Sequence, residues 1–199
     1  MMGRTLLLTG RPGIGKTTVI KTVAELLGGR AGGFYTEEIR GPGGRKGFLL
    51  VTLDGEKAVM AHVDLRGKGR PRVSRYGVDV EAIERVGVAA LRRAMQAGRI
   101  VVVDEIGKME LCCGAFKDVV LQAVGGPALS DALGVSKGEA EGPHTVVATA
   151  MAKSNPWMDS LKALPNVTPW EVTVKNRDGL AEQVVQWLDE EARRSGFGP

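Results

Sequence analysis

The sequence has few cysteines and no long apolar runs, and both shortages exclude whole classes of protein. Its only two cysteines among 199 residues, Cys112 and Cys113, are neighbours. Adjacent cysteines rarely form an unstrained disulfide, so we expect free thiols that pack as small apolar residues in a reducing cytoplasm. No apolar run approaches the roughly 20 residues that a membrane-spanning helix needs. The first strand is predicted from Thr5, which leaves no room for a signal peptide, and we expect no membrane partner.

Aromatic residues are few and the net charge is small, which argues against a surface on which nucleic-acid bases stack. Phenylalanine, tyrosine and tryptophan make up 5% of the chain, and the formal net charge is +4. The basic stretch "RGKGRPRVSR" is compatible with three interpretations: a solvated loop, a lid that faces phosphates, or a surface that binds nucleic acid. Tyr76 is the only aromatic residue beside it, so a nucleic-acid partner has weak support. Its cations, with no acidic residue between Asp64 and Asp79, are Arg66, Lys68, Arg70, Arg72 and Arg75.

Short apolar strands alternate with amphipathic helices along most of the chain. This alternation predicts one α/β domain over residues 1–199, in three layers, with a mainly parallel sheet covered on both faces. Asp54–Gly55 between two alternating runs predicts an antiparallel hairpin inserted after the second strand. Helices are predicted at 16–29, 79–96, 115–124, 157–164 and 178–194, and the last strand at 167–174. The glycine-rich residues 125–144 have no steady period and are predicted to be a mobile insertion.

The stretch "LLLTGRPGIGKTT", residues 6–18, has the pattern of a phosphate-binding loop. Gly10, Gly15, Lys16 and Thr17 fill the template G-x-x-x-x-G-K-[ST]. The backbone N–H groups of such a loop, together with the start of the following helix, surround an anion the size of a phosphate. We expect the Lys16 ammonium to reach the outer phosphates of a nucleotide and the Thr17 hydroxyl to bind Mg²⁺. The predicted nucleotide-binding residues of this segment are Gly10, Arg11, Pro12, Gly13, Ile14, Gly15, Lys16, Thr17 and Thr18.

A second chemical feature follows the buried strand predicted at Ile100–Val103. Asp104 comes directly after these four apolar residues, where its carboxylate is expected to hold Mg²⁺ directly or through water. Glu105 is next and, because side chains alternate along a strand, is expected on the opposite side of the pleat. From there it can orient or deprotonate a water molecule beside the terminal phosphate. Asp104 is therefore a predicted metal ligand, and Glu105 a predicted catalytic residue together with Lys16.

Further polar residues are candidates for the same site, each with an ordinary structural alternative. Lys108 either folds back over the transferring phosphate as a catalytic cation or pairs with Glu110 at the surface. Thr149 ends a predicted strand, where it either holds the attacking water or is a common strand residue. Asn176 and Arg177 follow the last strand and either contact a purine or belong to a turn that leads into the final helix.

Four strings, "GRPGIGKTT", "GFYTEEIR", "VVVDEIGKMEL" and "VTVKNRDGL", are together more specific than a phosphate-binding loop alone. With them the chain resembles, over nearly its whole length, the nucleoside-triphosphatase family of thermophilic bacteria and archaea that also includes the human cancer-related nucleoside triphosphatase. The resemblance implies a RecA-like P-loop core in which another strand separates the P-loop strand from the acidic strand. It also implies Mg²⁺-dependent hydrolysis of ATP, GTP and other nucleoside triphosphates, with Lys108 as the family's trailing lysine.

We therefore expect a cytoplasmic enzyme that hydrolyses nucleoside triphosphates to the diphosphate and phosphate with broad base tolerance. A small kinase is an alternative, because the same loop and carboxylate serve transfer to an acceptor hydroxyl. A guanine-nucleotide switch has less support, since the [NT]-K-x-D motif that reads guanine is absent from the sequence. A nucleic-acid-stimulated ATPase is the third alternative, through the basic stretch. The sequence carries no signal for an oligomeric state.

Overall fold

A computed structural model describes residues 4–132, 144–151 and 155–194, with side chains described for 4–125, 144–151 and 155–193. The helices are α1 (Lys16–Leu27), α2 (Val80–Ala82), α3 (Ala89–Gln96), α4 (Gly114–Ala132), α5 (Pro156–Lys162) and α6 (Leu180–Arg194). The strands are β1 (Thr5–Thr9), β2 (Ala31–Gly41), β3 (Gly44–Thr52), β4 (Lys57–His62), β5 (Arg72–Val73), β6 (Tyr76–Val78), β7 (Ile100–Ile106), β8 (Val146–Ala150) and β9 (Val167–Glu171).

The strands form one mixed sheet in the order β5-β6-β4-β3-β2-β7-β8-β1-β9. The five strands from β2 to β9 in this order are parallel to their neighbours, whereas β3, β4, β6 and β5 pair antiparallel. The predicted mainly parallel α/β sheet with an antiparallel insertion is confirmed. Strand β8 lies between β1 and β7, as the family resemblance implied, so the carboxyl ends of the P-loop strand and the acidic strand share one edge of the sheet.

The predicted hairpin is formed by β3 and β4. The N–H of Gly55 donates to the carbonyl oxygen of Thr52 at 3.0 Å, and Gly55 has a φ of 95° that favours glycine. The Thr52 hydroxyl also donates to the carboxylate of Asp54. A second hairpin joins β2 to β3, with Gly41 opposite Gly44. These hairpins extend the sheet sideways from β2 and leave the parallel half uninterrupted.

Helices cover both faces of the sheet, which gives the predicted three layers. Leu7 contacts one buried cluster, which includes Phe116 of α4, and Leu6 and Leu8 contact the other cluster, which includes Ile20 of α1. All three leucines are fully buried. The run of leucines in the first strand is therefore explained by a central strand that is covered on both sides.

The helix predicted at 79–96 is confirmed as α2, a π-helical turn at Ile83–Val88 and α3 in continuous succession. The Asp79 carboxylate accepts a hydrogen bond from the N–H of Ala82 at 3.1 Å and caps this helix. The predicted end of α4 near residue 124 is wrong, because the helix continues through Ala132. Residues 133–143 of the predicted mobile insertion lie outside the described residues. Among the described helices, none is long and apolar enough to cross a bilayer.

Candidate active site

The phosphate-binding loop connects β1 to α1. Gly10 and Gly15 have φ angles of 139° and 112°, in the left-handed region that favours glycine. A Cβ atom at Gly10 would also lie 2.8 Å from the carbonyl oxygen of Val172. Both glycines of the template are therefore required by the backbone. Because α1 begins at Lys16, the first N–H groups of this helix have no acceptor within it and are available to an anion.

The other predicted residues of the loop differ in exposure. Ile14 is buried and fixes the loop to the core beneath α1 and α6, whereas Arg11, Pro12 and Gly13 are exposed. Thr17 is half-buried in the first turn of α1, and the neighbouring Thr18 is exposed. This segment thus combines one apolar anchor with an accessible outer surface.

Lys16 joins the phosphate-binding loop to the acidic strand. Its side chain is 7% exposed, and its Nζ atom donates to the carbonyl oxygen of Gly10 at 3.1 Å. The same Nζ lies 3.6 Å from Oε2 of Glu105. Burial raises the pKa of Glu105, the Lys16 ammonium opposes that rise, and the negative charge of Asp104 adds to it. The structure therefore places the predicted loop lysine and the predicted catalytic carboxylate side by side.

Asp104 is fully buried and is held by the strands on either side of β7. Its Oδ1 accepts from the Thr149 hydroxyl of β8 at 2.6 Å. Its Oδ2 accepts from the Thr36 hydroxyl and backbone N–H of β2, at 3.3 and 3.4 Å. The two adjacent carboxylates thus take separate partners. Thr149 positions Asp104, while its proposed contact with the attacking water stays a prediction. Thr36 also contacts Asp104 but is not among the predicted site residues.

Glu110 is a third carboxylate behind this pair. A Cβ atom on Gly107 would lie 2.9 Å from Oε2 of Glu110 and 3.1 Å from Oε1 of Glu105, so both side chains flank the same turn. Burial raises the pKa of Glu110 to about 8, hydrogen bonds from the N–H groups of Glu110 and Gly107 lower it, and the charges of Glu105 and Asp104 raise it. Burial therefore favours the protonated form of Glu110.

The alternative in which Lys108 pairs with Glu110 at the surface is wrong. Lys108 is exposed, whereas Glu110 is 4% exposed, and no ion pair joins them in the described part of the chain. The turn that follows β7 directs the two side chains into different environments. The interpretation of Lys108 as a catalytic cation stays a prediction.

The two candidate residues in the loop after β9, Asn176 and Arg177, make different contacts. Nη1 of Arg177 donates to the carbonyl oxygen of Ile14 at 3.4 Å, and its Cδ lies 3.8 Å from the position of a Cβ on Gly15. Arg177 therefore lies against the phosphate-binding loop. The Asn176 amide instead closes its own turn, accepting from the Thr173 N–H at 2.8 Å and donating to the carbonyl oxygen of Glu171 at 2.9 Å. This turn ends β9 at Glu171, earlier than predicted.

The oxygen donors at this edge of the sheet fit a hard divalent cation. The described residues contain no group of three or more histidine, cysteine, aspartate or glutamate side chains that could hold a metal by themselves. Mg²⁺ in nucleotide sites needs only one or two protein ligands, because phosphates and water supply the others. The Thr17 hydroxyl and the Asp104 carboxylate are the oxygen donors at this edge that could hold such an ion.

Comparison with known proteins identifies the family. Residues 5–185 match the protein family described as NTPase. The nucleoside-triphosphatase THEP1 of Thermotoga sp. (strain RQ2) is 39% identical over 183 residues, which cover 92% of this chain and 94% of that protein. The chain belongs to this nucleoside-triphosphatase family. The family resemblance of the four sequence strings is thereby confirmed, and the protein is a nucleoside-triphosphatase.

Two solved structures share the fold of this nucleoside-triphosphatase. The crystal structure of THEP1 from the hyperthermophile Aquifex aeolicus has a TM-score of 0.77 at 32% identity and covers 93% of this chain and 99% of that chain. The solution structure of a human cancer-related nucleoside triphosphatase has a TM-score of 0.73 at 33% identity and covers 94% of this chain and 98% of that chain. The predicted P-loop fold is therefore confirmed over nearly the whole length.

Proposed function

We propose that this nucleoside-triphosphatase requires Mg²⁺ and hydrolyses ATP, GTP and other nucleoside triphosphates with little preference for the base. The observation that carries the proposal is the 3.6 Å separation between Nζ of Lys16 and Oε2 of Glu105. At this distance the Lys16 ammonium, proposed to bind phosphate, lies beside the Glu105 carboxylate, proposed to act on water. The free thiols of Cys112 and Cys113 support a cytoplasmic location.

The phosphate end of the nucleotide is bound by the loop and the first turn of α1. The N–H groups there donate to phosphate oxygens, and the Lys16 ammonium contacts the outer phosphates. Thr17 and Asp104 would hold Mg²⁺, which neutralises the negative charge that develops on the phosphates. Thr36 and Thr149 fix the orientation of Asp104 from both sides. Arg177, beside the loop, adds a second protein cation.

Glu105 is the residue that acts on water. Its carboxylate orients a water molecule in line with the terminal phosphate and accepts its proton. Partial burial raises the pKa of this carboxyl, which makes the ionised form a stronger base, while Lys16 opposes the rise. The exposed Lys108 follows Glu105 in the same turn and is proposed to add positive charge over the phosphate during reaction.

The loop after β9 supports broad base tolerance. A side-chain amide can distinguish bases by hydrogen bonding, but that of Asn176 is occupied by Thr173 and Glu171. The most exposed apolar side chain of this loop, Val174, is 55% exposed and offers only van der Waals contact. The Asn176 amide oxygen and one of its N–H groups are therefore already bonded, which leaves this side chain little capacity to select one purine or pyrimidine.

Phosphate release with ATP, GTP, CTP and UTP in separate assays, with and without Mg²⁺, tests the proposal. We expect release from all four nucleotides, with rates within about tenfold of one another, and loss of activity when the metal is chelated. Formation of the nucleoside diphosphate and a phosphorylated alcohol only when an acceptor alcohol is added, without free phosphate, would instead establish the kinase alternative. Full activity in a chelator would remove the role of Mg²⁺.

A further inference from the structure

The antiparallel half of the sheet carries a concentration of positive charge at the same edge as Asp104. Strand β2 is parallel to β7, with Phe34 opposite Val103, so its last residues, up to Gly41, extend past the edge where β7 ends. Strand β3 starts there and β4 ends there, since Gly47 pairs with His62. The connection from β4 to β6 completes the surface. We call its eight cationic side chains the basic edge: Arg40, Arg45, Lys46, Arg66, Lys68, Arg70, Arg72 and Arg75.

The net positive charge of the segments that form the basic edge exceeds that of the whole chain. The two segments that form it, 38–46 and 62–79, contain eight arginines and lysines but only the carboxylates of Glu38, Asp64 and Asp79. The net charge of the complete chain is +4. Such a local excess creates a positive potential that attracts polyanions.

Most of these cations have no carboxylate partner. In the described part of the chain, ion pairs are recorded for Arg40 and Arg45, which share Glu38, and for Arg70, which lies 3.5 Å from Asp79. The remaining five cations of the edge have no recorded ion pair. Their charge is available to a partner that supplies several negative groups in a row.

Two aromatic rings hold the arginines at the centre of the edge. The guanidinium of Arg45 lies 5.1 Å from the Phe48 ring centroid, and that of Arg75 lies 5.3 Å from the Tyr76 centroid. The two rings pack edge to face at 5.4 Å. Arg75 also donates to the backbone carbonyl oxygen of Arg45. Because their conformations are restricted before binding, these guanidinium groups lose less conformational entropy when they bind phosphates.

We propose that the basic edge binds the phosphate backbone of a nucleic acid, such as single-stranded RNA, without reading its sequence. Regularly spaced phosphates match a row of arginines, and guanidinium groups bind them through paired hydrogen bonds. Tyr76 is buried and its ring is covered by Arg75, so base stacking is not the mode of binding. The exposed large apolar residues described in the structure are Leu26, Val59 and Val174. None of them belongs to the two basic segments, so the basic edge has no such side chain to insert into a lipid surface.

Fluorescence anisotropy with a labelled RNA about 20 nucleotides long tests the proposal in the absence of any nucleoside triphosphate. Binding is therefore measured independently of the proposed hydrolysis. If about five phosphates are contacted, we expect the affinity to fall about a hundredfold between about 50 and about 200 mM salt. No RNA binding by the wild-type chain at the lower salt concentration overturns the proposal.

A matched pair of triple variants locates the binding surface. Arg66→Glu with Lys68→Glu and Arg72→Glu should weaken RNA binding at low salt by at least about tenfold and reduce the salt slope by about two. Lys57→Glu with Arg92→Glu and Arg99→Glu makes the same change in net charge at exposed positions away from the basic edge and should retain binding within about threefold. The basal hydrolysis rate should be unchanged in both variants, which shows that each is folded.

Two outcomes of this comparison would overturn the assignment. Equal loss of RNA binding in both triple variants would mean that only net charge matters. Binding of the wild-type chain to phosphatidylserine vesicles but not to RNA, lost only in the basic-edge variant, would mean that the partner is a membrane surface.

Discussion

At the scale of single residues, the site depends on carboxylates whose environments differ although they are close together. Asp104 is fully buried and accepts hydrogen bonds from two threonines. Glu105 is partly exposed beside Lys16, and Glu110 is buried behind it. Burial raises the pKa of both glutamates, most strongly that of Glu110. Burial therefore favours the neutral form of Glu110 more than that of Glu105.

Glu110→Gln should change how stability depends on pH. The pKa of Glu110 is about 8 in the folded chain against an ordinary value of 4.5, so the folded state binds an extra proton between these values. The free energy of unfolding of the wild type should therefore fall as pH rises towards about 8, by up to about 1.4 kcal/mol per pH unit from this group. Glutamine cannot ionise, so the variant should gain stability relative to wild type as pH rises.

Urea unfolding of both proteins between about pH 6 and about pH 8 measures this difference. Taking the difference between the two proteins removes the contributions of the other titrating groups. A constant difference across that range would show that Glu110 is already ionised at neutral pH.

Sequence patterns predicted the residues of the site that belong to local motifs, and also Thr149 of β8, but not Thr36 of β2. Lys16 and Glu105 stand at fixed places in recognisable strings, and the structure brings them together. Thr36 was missed because its contact with Asp104 depends on β2 lying beside β7, which no local pattern shows. The alternative that paired Glu110 with Lys108 at the surface was wrong, because a charged residue in a turn is usually exposed but Glu110 is buried.

At the scale of elements, the capped helices and the longer strands followed from their sequence signals. Asp79 was predicted as the start of a helix and caps it. The two- and three-residue strands β5 and β6 were not predicted, because such short segments have no period of their own. The last strand was predicted to end at residue 174 but ends at Glu171, because the turn closed by Asn176 interrupts an otherwise strand-like sequence.

Asp79→Ala should lower the free energy of unfolding by about 1 kcal/mol, since the N–H of Ala82 loses its acceptor. The same substitution also removes the partner of Arg70 at 3.5 Å. Asp79→Asn is the matched control, because asparagine retains a capping oxygen but not the charge. Denaturant unfolding should find the asparagine variant close to wild type. Equal losses in both variants would attribute the effect to Arg70 instead of the helix cap.

At the scale of the whole molecule, the order of the strands creates the active site. β8 separates β1 from β7, and their parallel carboxyl ends bring the phosphate-binding loop and Glu105 to one edge. Alternating periodicity predicted the parallel sheet but not this order, which came from the family resemblance. Local patterns do not specify which strands become neighbours, because that depends on contacts between distant segments. The same order places the strands of the basic edge on the side of β7 that faces away from β8.

The central claim is that the loop and the acidic strand act together, with Glu105 as the base that activates water. Phosphate release and nucleotide binding by Glu105→Gln test it most directly, with Glu37→Gln on the neighbouring strand β2 as a control of equal charge change. We predict that Glu105→Gln binds the nucleotide within about threefold of wild type but releases phosphate about 10²–10⁴ times more slowly, while the control stays within about threefold of the wild-type rate. Wild-type turnover in Glu105→Gln would contradict the account.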